Sequence, residues 1–207
     1  MKKVKEPESY IRLLPDTIID KIAAGEVIQR PASVVKELLD NAIDAGADHI
    51  DIVLEQGGLG AVTVTDNGHG MTAADLLLAM TRHATSKLAD DNLFDIRHFG
   101  FRGEALPSIA SVCELTLASR IAGDEHGWSV QVIHGQAHAP RPAAMERGTQ
   151  IKVTDLFGSV PARLKFLKSQ KTEAGQCSDV VRRLAMACPH IAFSLTDSGR
   201  KLFHLSS

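Results

Sequence analysis

The chain has 207 residues, of which 44% are hydrophobic and 23% are charged, and its formal net charge is −2. This length suffices for a packed core, and the composition excludes wholesale disorder. The charge excludes a protein-wide positive field for nucleic acid, so any DNA contact must be local. No apolar run is long enough to cross a bilayer, and the three cysteines lack C-x-x-C spacing. We therefore expect a cytoplasmic protein with reduced thiols and no membrane partner.

The first elements predict helices that alternate with paired strands. Residues 1–10 are polar and predict a flexible arm, followed by one domain over 11–207. Apolar residues recur at helical spacing from Ser33 to about Ala45, behind Pro31 and ahead of Gly46. Residues 49–54 and 61–65 alternate as two strands. A capping box formed by Thr72 and Asp75 then predicts a helix that extends through Met80.

The second half of the chain predicts mostly strands. Residues 84–105 mix polar and apolar side chains without a regular period, which indicates a long functional loop. The pattern beyond that loop predicts strands at about 112–119, 128–133 and 149–155, a helix at about 172–187, and a hairpin turning at 198–199. Helices mixed with hairpin-linked strands favour an α+β fold, a two-layer sandwich with a mixed, mainly antiparallel sheet covered by helices. A doubly wound parallel sheet is not expected.

One helix carries a polar stripe. At about 100° per residue, Glu37, Asn41 and Asp44 fall on one face of the predicted helix, opposite Leu38 and Leu39. A glutamate can orient and deprotonate a water molecule, and an asparagine oxygen can bind a hard cation such as Mg²⁺. The alternative is a solvated helix face.

Three glycine-containing segments could approach a ligand. Asp66-Asn67-Gly68-His69-Gly70 follows a predicted strand, and its carboxylate could accept a hydrogen bond from an exocyclic amine; the alternative is an ordinary turn. The 100–106 segment, GFRGEAL, could expose backbone amides to phosphate at a helix start, with Ala84-Thr85-Ser86-Lys87 upstream; the alternative is a loop without a ligand. Gly148-Thr149 enters a strand and is a weak signal alone. No P-loop pattern is present.

In this order, these segments resemble the ATP-binding motifs shared by gyrase, the ATP-driven heat-shock chaperone, histidine kinases and MutL. The match is most specific for the MutL family. It is carried by IAAGEVIQRPASVVKELLDNAIDAGA (22–47), DNGHGM (66–71), RHATSK (82–87), GFRGEAL (100–106) and DLFGSVPARLKFL (155–167). The chain departs from the family at Gly158-Ser159-Val160, where an aromatic residue, Asn and Thr are usual. The resemblance implies a Bergerat-type ATP-binding fold.

The resemblance also implies a role for each segment. Glu37 would be the general base, Asn41 would bind the Mg²⁺ that bridges the ATP phosphates, and Asp44 would lie on the same ATP-facing stripe. Asp66 would fix the adenine amine beside Gly68 and Gly70, and Thr149 would complete that site. A lid over the phosphates would include Thr85, Ser86, Lys87, Gly100, Phe101, Arg102, Gly103, Glu104, Ala105 and Leu106.

The family uses slow, Mg²⁺-dependent ATP hydrolysis as a switch in DNA mismatch repair. The resemblance therefore implies ATP-dependent self-association of N-terminal regions, a mismatch-recognition partner of the MutS type, and non-sequence-specific DNA contact through basic residues near PARLKFLKSQK. The family's transducer-like domain, which supplies a lysine to ATP, and its C-terminal dimerisation domain would lie beyond Ser207. We therefore expect weak or absent hydrolysis by this fragment.

Two alternatives remain open. A type II topoisomerase subunit would share the ATPase motifs, but GFRGEAL and PAR-x-KFL argue against it. A non-catalytic scaffold would use ATP only to control protein contacts.

Overall fold

A computed structural model describes residues 13–82, 84, 103–133 and 135–206. The helices are α1 (Asp16–Val27), α2 (Pro31–Asp44), α3 (Ala73–Leu78), α4 (Ala105–Ser111), α5 (Pro161–Leu164) and α6 (Gln170–Ala187). The strands are β1 (His49–Glu55), β2 (Ala61–Asp66), β3 (Glu114–Arg120), β4 (Gly127–Ile133), β5 (Gln136–Ala137), β6 (Arg141–Ala143), β7 (Gly148–Thr154), β8 (Ala192–Asp197) and β9 (Arg200–Leu205). The predicted 1–10 arm lies outside the described residues.

The strands of the described ranges form one sheet in the order β5-β4-β3-β7-β2-β1-β8-β9, with β6 paired to β4. All of the pairs are antiparallel except β1 with β8, which is parallel. The predicted mixed, mainly antiparallel sheet is therefore confirmed. Because β7 lies between β2 and β3, this order places strands distant in sequence side by side.

Alternation along the strands divides the sheet into a buried face and an outer face. In β1, the side chains of Ile50, Ile52 and Leu54 are buried while Val53 and Glu55 are exposed. α2 covers the buried face and packs against α6. It buries Leu38 and Leu39 on the side opposite its polar stripe, and burial of each leucine contributes about 2 kcal/mol. The predicted two-layer arrangement follows from this one-sided burial.

Contacts between helices fix the start of α2. Glu173 of α6 is fully buried, and its Oε1 accepts a hydrogen bond from the backbone N–H of Lys168 at 2.8 Å. The guanidinium of Arg30, directly before α2, lies 3.9 Å from the other Glu173 oxygen and donates to the Gln176 side chain at 2.6 Å. The polar stripe of α2 is thus carried by a helix that α6 holds in place.

Helix boundaries differ from the predictions in two places. Pro31 is the first residue of α2 rather than a residue ahead of it, because proline at this position loses no helical hydrogen bond. α3 has the predicted Thr72–Asp75 capping box but ends at Leu78, since Met80 and Thr81 donate to carbonyls three residues back and tighten the chain into turns. The hairpin turning at Ser198-Gly199 is confirmed.

The chain before α2 forms α1, for which the sequence pattern predicted no helix. Arg163, at α5, packs over Gly25 of α1, and a Cβ on Gly25 would overlap the guanidinium. The Arg163 Nη1 atom donates to the Ile28 carbonyl at 3.4 Å, and the guanidinium stacks over Phe157 at 5.7 Å from the ring centroid. Arg163 therefore stabilises the C-terminal end of α1, where a cation complements the helix dipole. Within the described ranges, no helix is long and apolar enough to cross a bilayer.

Candidate functional site

A row of polar side chains crosses three neighbouring strands at one end of the sheet. Asp66 of β2 pairs with Thr149 of β7, which in turn pairs with Ser119 of β3. By strand alternation all three side chains lie on the helix-covered face. The adjacent row on that face consists of the buried apolar residues Val64, Ile151 and Leu117. The polar row therefore ends the hydrophobic core and forms the floor of a site beneath the helices.

Asp66 is the titratable group of this row. Its Oδ1 accepts a hydrogen bond from the Gly68 N–H at 2.9 Å. Burial raises the pKa of the Asp66 carboxyl to about 6, although N–H donors from Gly68 and Thr149 and the nearby His69 act in the opposite direction. The Asp66 carboxyl is half-buried at the end of β2, and carboxyl groups with a strongly raised pKa are frequent at functional sites.

Two glycines let the backbone close around Asp66. Gly70 has φ +76°, and a Cβ there would overlap the Arg120 carbonyl oxygen. Gly148 has φ +124°, and a Cβ there would overlap the Asp66 carbonyl oxygen. Both positions combine a left-handed backbone with contact to another backbone segment, so a larger residue would push the walls of the site apart.

Ser119 is a component that the sequence did not indicate. Its hydroxyl is fully buried, accepts from the Met71 N–H at 2.8 Å, donates to the Gly148 carbonyl at 2.8 Å, and lies 3.0 Å from the Thr149 hydroxyl. The alternation of Leu115 and Leu117 predicts an inward-facing apolar residue at position 119. The serine found there was the only feature of the sequence that could have indicated its role. Ser119 joins the loop after β2 to the start of β7.

The end of α2 meets the loop that carries Asp66. The His69 N–H donates to the Ala45 carbonyl at 3.0 Å, and Gly68 packs against Ala45 so closely that a Cβ would lie 2.8 Å from its methyl group. Asn67, a second residue whose role the sequence left open, accepts hydrogen bonds from the N–H groups of Asp48 and His49 at 3.0 Å each. The structure therefore brings the C-terminal end of α2, next to Asp44 of the polar stripe, beside the Asp66 loop.

The stripe residues Glu37, Asn41 and Asp44 are all half-buried. The Lys36 ammonium lies 3.8 Å from Glu37 Oε1 and pairs with the buried Asp40 at 2.7 Å. The hydrogen bond to Asp40, with the charges of Asp40 and Glu37, raises the pKa of Lys36 against the opposing effect of burial. The stripe is therefore partly solvated, and its role in binding stays a prediction.

Only part of the predicted lid is described. Gly103 has φ +61° and packs against the Ala84 backbone, Glu104 directly precedes α4, and Ala105 and Leu106 form its first turn. The predicted helix start after the glycines is thus confirmed. Thr85, Ser86, Lys87, Gly100, Phe101 and Arg102 lie outside the described residues.

The side-chain oxygens of α2 fit a cation that is bound partly by the protein and partly by a bound substrate. In the described ranges, no group of three or more His, Cys, Asp or Glu side chains is placed to hold a metal ion. Mg²⁺ commonly uses one or two protein oxygens together with substrate phosphates and water. The single amide oxygen of Asn41, beside the carboxylates of Glu37 and Asp44, suits that mode rather than a closed metal cage.

This combination of a sheet covered by helices on one face, a half-buried aspartate at a strand end and a polar helix stripe defines a class of protein. Residues 29–155 match the family model for histidine kinase-, DNA gyrase B- and HSP90-like ATPases, and the chain belongs to this family. Within it, the chain is similar to the DNA mismatch repair protein MutL. It is 57% identical over 197 residues to MutL from Paramagnetospirillum magneticum, covering 95% of this chain and 32% of that protein.

A second MutL protein and a solved MutL ATPase domain are also similar to this chain. MutL from Rhodopseudomonas palustris strain HaA2 is 57% identical over 190 residues, covering 92% of this chain and 32% of that protein. The solved structure of the Aquifex aeolicus MutL ATPase domain complexed with ADP superposes with a TM-score of 0.73 at 30% identity, covering 87% of this chain and 65% of that one. The chain thus spans about a third of the length of these curated relatives.

Proposed function

We propose that this chain binds ATP between α2 and the polar row of the sheet, and that it supplies the groups that hydrolyse the terminal phosphoanhydride in the longer protein. The observation that carries the proposal is the packing of the loop that follows Asp66 against the C-terminal end of α2. Asp66 and Thr149 end the core at a strand terminus, and the loop after Asp66 packs against the end of the helix that carries Glu37 and Asn41. The Aquifex aeolicus relative was solved with ADP, which supports nucleotide as the ligand.

In this proposal each side chain has one task. Asp66 accepts a hydrogen bond from the adenine amine, and Gly68 and Gly70 keep the base close to backbone. Asn41 holds Mg²⁺, which would neutralise charge on the phosphates. Glu37 orients a water molecule and takes its proton as the water oxygen bonds to the terminal phosphorus, while the bond from that phosphorus to the ADP oxygen breaks. Gly103 and the first turn of α4 belong to the phosphate side.

We infer that this reaction serves as a switch in DNA mismatch repair. The supporting observations are the identity to MutL relatives and the exposed apolar side chains on and before α1, namely Leu13, Ile19 and Ile22, which self-association would cover. A mismatch-recognition protein of the MutS type is the further partner that we propose. A nucleotide-controlled scaffold without hydrolysis remains the second candidate for this part of the protein.

Nucleotide binding is tested by thermal unfolding of this chain with a non-hydrolysable ATP analogue, with and without Mg²⁺. A ligand at about 100 times its Kd stabilises the folded state by about 2.7 kcal/mol, which raises the Tm of a domain of this size by roughly 5–10 °C. We expect Mg²⁺ to increase the shift for the wild-type chain and to have little effect on Asn41→Ala.

The matched control is Gln131→Ala, which removes an exposed amide from the outer face of β4. It should keep the Mg²⁺-dependent shift. An equal Mg²⁺ effect in Asn41→Ala and in the wild type would show that Asn41 is not the magnesium ligand. A folded wild-type chain without any shift at millimolar analogue would contradict the nucleotide site itself.

We propose that Lys165, Lys168 and Lys171 contact DNA phosphates in the longer protein. All three side chains are exposed and follow one another from the end of α5 into α6. Arg163, in the same segment, is instead engaged with α1. Arg182 and Arg183, on α6, are both exposed, and Arg182 stacks over Phe203 at 5.6 Å from the ring centroid.

Charge reversal tests this surface. The double variant Lys165→Glu with Lys168→Glu, in a longer protein that contains this chain, should weaken DNA binding and lower the slope of log K against log salt by roughly 2. Lys152→Glu, on the outer face of β7, is the control and should leave the slope unchanged. Unchanged DNA affinity in the double variant would exclude these lysines as the contact.

A further inference from the structure

The Ser119 hydroxyl has three neighbours but only one proton. The Met71 N–H can only donate, so it uses one lone pair of the Ser119 oxygen, and the Gly148 carbonyl can only accept, so it must receive the Ser119 proton. The 3.0 Å contact with Thr149 is then a hydrogen bond only if the Thr149 hydroxyl donates to the remaining lone pair of Ser119. The opposite direction would leave two oxygen atoms 2.8 Å apart without a proton between them.

These three contacts require the Thr149 hydroxyl to be the donor in its hydrogen bond with Ser119. Its single hydroxyl proton points to Ser119, so its oxygen offers only lone pairs to any other group. Ser119 is fully buried, whereas Thr149 keeps 6% of its surface exposed, so a ligand can meet Thr149 but not Ser119. Asp66, the neighbour of Thr149 in the row, also accepts hydrogen bonds when it is ionised.

We propose that Ser119 is a positioning residue that makes this end of the pocket accept but not donate hydrogen bonds, and so favours a base with an exocyclic amine over one with a carbonyl at the same place. The inference rests on the proposed nucleotide site and extends it to base selectivity. Without the Ser119 hydroxyl, the Thr149 proton is free to rotate toward the ligand. Thr149 can then donate to a carbonyl, and the penalty against such a base becomes smaller.

The test compares ATP with inosine triphosphate, in which a carbonyl replaces the adenine amine and N1 carries a proton. An N1–H group needs an acceptor, so it cannot explain tighter binding of inosine triphosphate when Thr149 becomes able to donate. Affinities of both nucleotides with Mg²⁺ are measured by calorimetry for the whole chain as wild type, Ser119→Ala, Thr149→Val and the double variant. The wild type should prefer ATP. A net hydrogen bond corresponds to about a fivefold to tenfold change in affinity, so Ser119→Ala should lower the preference by roughly that factor, mainly by tighter binding of inosine triphosphate.

The double variant separates positioning from general structural damage. Thr149→Val removes the hydroxyl whose direction Ser119 sets, so adding Ser119→Ala should not change the preference further. The proposal would be overturned if Ser119→Ala lowered the preference for ATP equally in the Thr149→Val variant. An unchanged preference in Ser119→Ala alone would also overturn it.

Thr149→Val also serves alone if Ser119→Ala does not fold, because an unchanged ATP preference in that variant would overturn the proposal independently. Failure of the nucleotide site gives a different result, namely a folded wild-type chain that binds neither nucleotide.

Discussion

Glu37→Ala is expected to lower the single-turnover rate of ATP hydrolysis by roughly 10²–10⁴-fold, the range that general base catalysis contributes. Affinity for a non-hydrolysable analogue should change by less than about threefold, because a general base acts on the attacking water and not on the bound nucleotide. Glu37 suits this role because it is half-buried on α2, four residues before Asn41, on the helix whose end contacts the Asp66 loop.

The measurement is release of phosphate from ATP under single-turnover conditions by a longer protein that contains this chain, with enzyme in excess over nucleotide. Glu55→Ala removes an exposed glutamate at the end of β1 and should leave the rate unchanged. Equal rates for Glu37→Ala and the wild type, with ATP bound in both, would favour the scaffold that only binds nucleotide. Glu37→Gln should match the alanine variant, since an amide keeps the shape but cannot accept the proton.

The helical part of the site could be predicted from the sequence because it depends on local periodicity. Glu37, Asn41 and Asp44 share a face wherever a regular helix forms, and the apolar residues between them determine which face is buried. The strand pair β1–β2 and the capping box of α3 are likewise encoded within short segments. Each of these features can be predicted without knowing the order of the strands in the sheet.

Local pattern alone could not predict the sheet part of the site, because it depends on long-range register. Only the family resemblance associated Asp66 with Thr149, and no sequence motif indicated Ser119. Asp66, Thr149 and Ser119 form one row only since β7 inserts between β2 and β3, and a shift of one residue would turn Thr149 to the outer face. Arg163 illustrates the same limit. Its place in a run of basic residues predicts a phosphate contact, whereas the fold uses it to hold α1.

Nucleotide affinity is expected to depend on pH through Asp66. Burial raises the pKa of its carboxyl to about 6, and the proposed hydrogen bond from the adenine amine requires the ionised form. Affinity should therefore be constant above about pH 7 and fall as the pH decreases through 6, approaching a tenfold loss for each further pH unit. Saturating Mg²⁺ keeps the phosphates ionised during the measurement, since a bound cation favours their charged form.

The empty domain should respond in the opposite direction. An ionised carboxyl whose pKa rises from 3.8 to about 6 costs the fold up to about 3 kcal/mol at neutral pH, and protonation removes this cost as the pH falls through 6 toward 4. Denaturant unfolding of the empty chain should thus show a stabilising contribution from Asp66 in the same interval in which calorimetry shows weaker binding. As the pH falls, nucleotide affinity should therefore decrease while the free energy of unfolding of the empty chain increases. Acid unfolding, in contrast, would decrease both quantities.

Asp66→Asn assigns the pH effect to this carboxyl. An asparagine oxygen can still accept from the Gly68 N–H, but its amide group then meets the adenine amine donor to donor, so nucleotide-induced stabilisation should be lost at every pH. Asp51→Asn is the control, because Asp51 lies on the outer face of β1 beside His49 and Ser194 and should keep the wild-type binding profile. Full affinity in Asp66→Asn, or wild-type binding that does not weaken below pH 6, would remove Asp66 from the base-recognition site and with it the assignment of this end of the cleft to adenine.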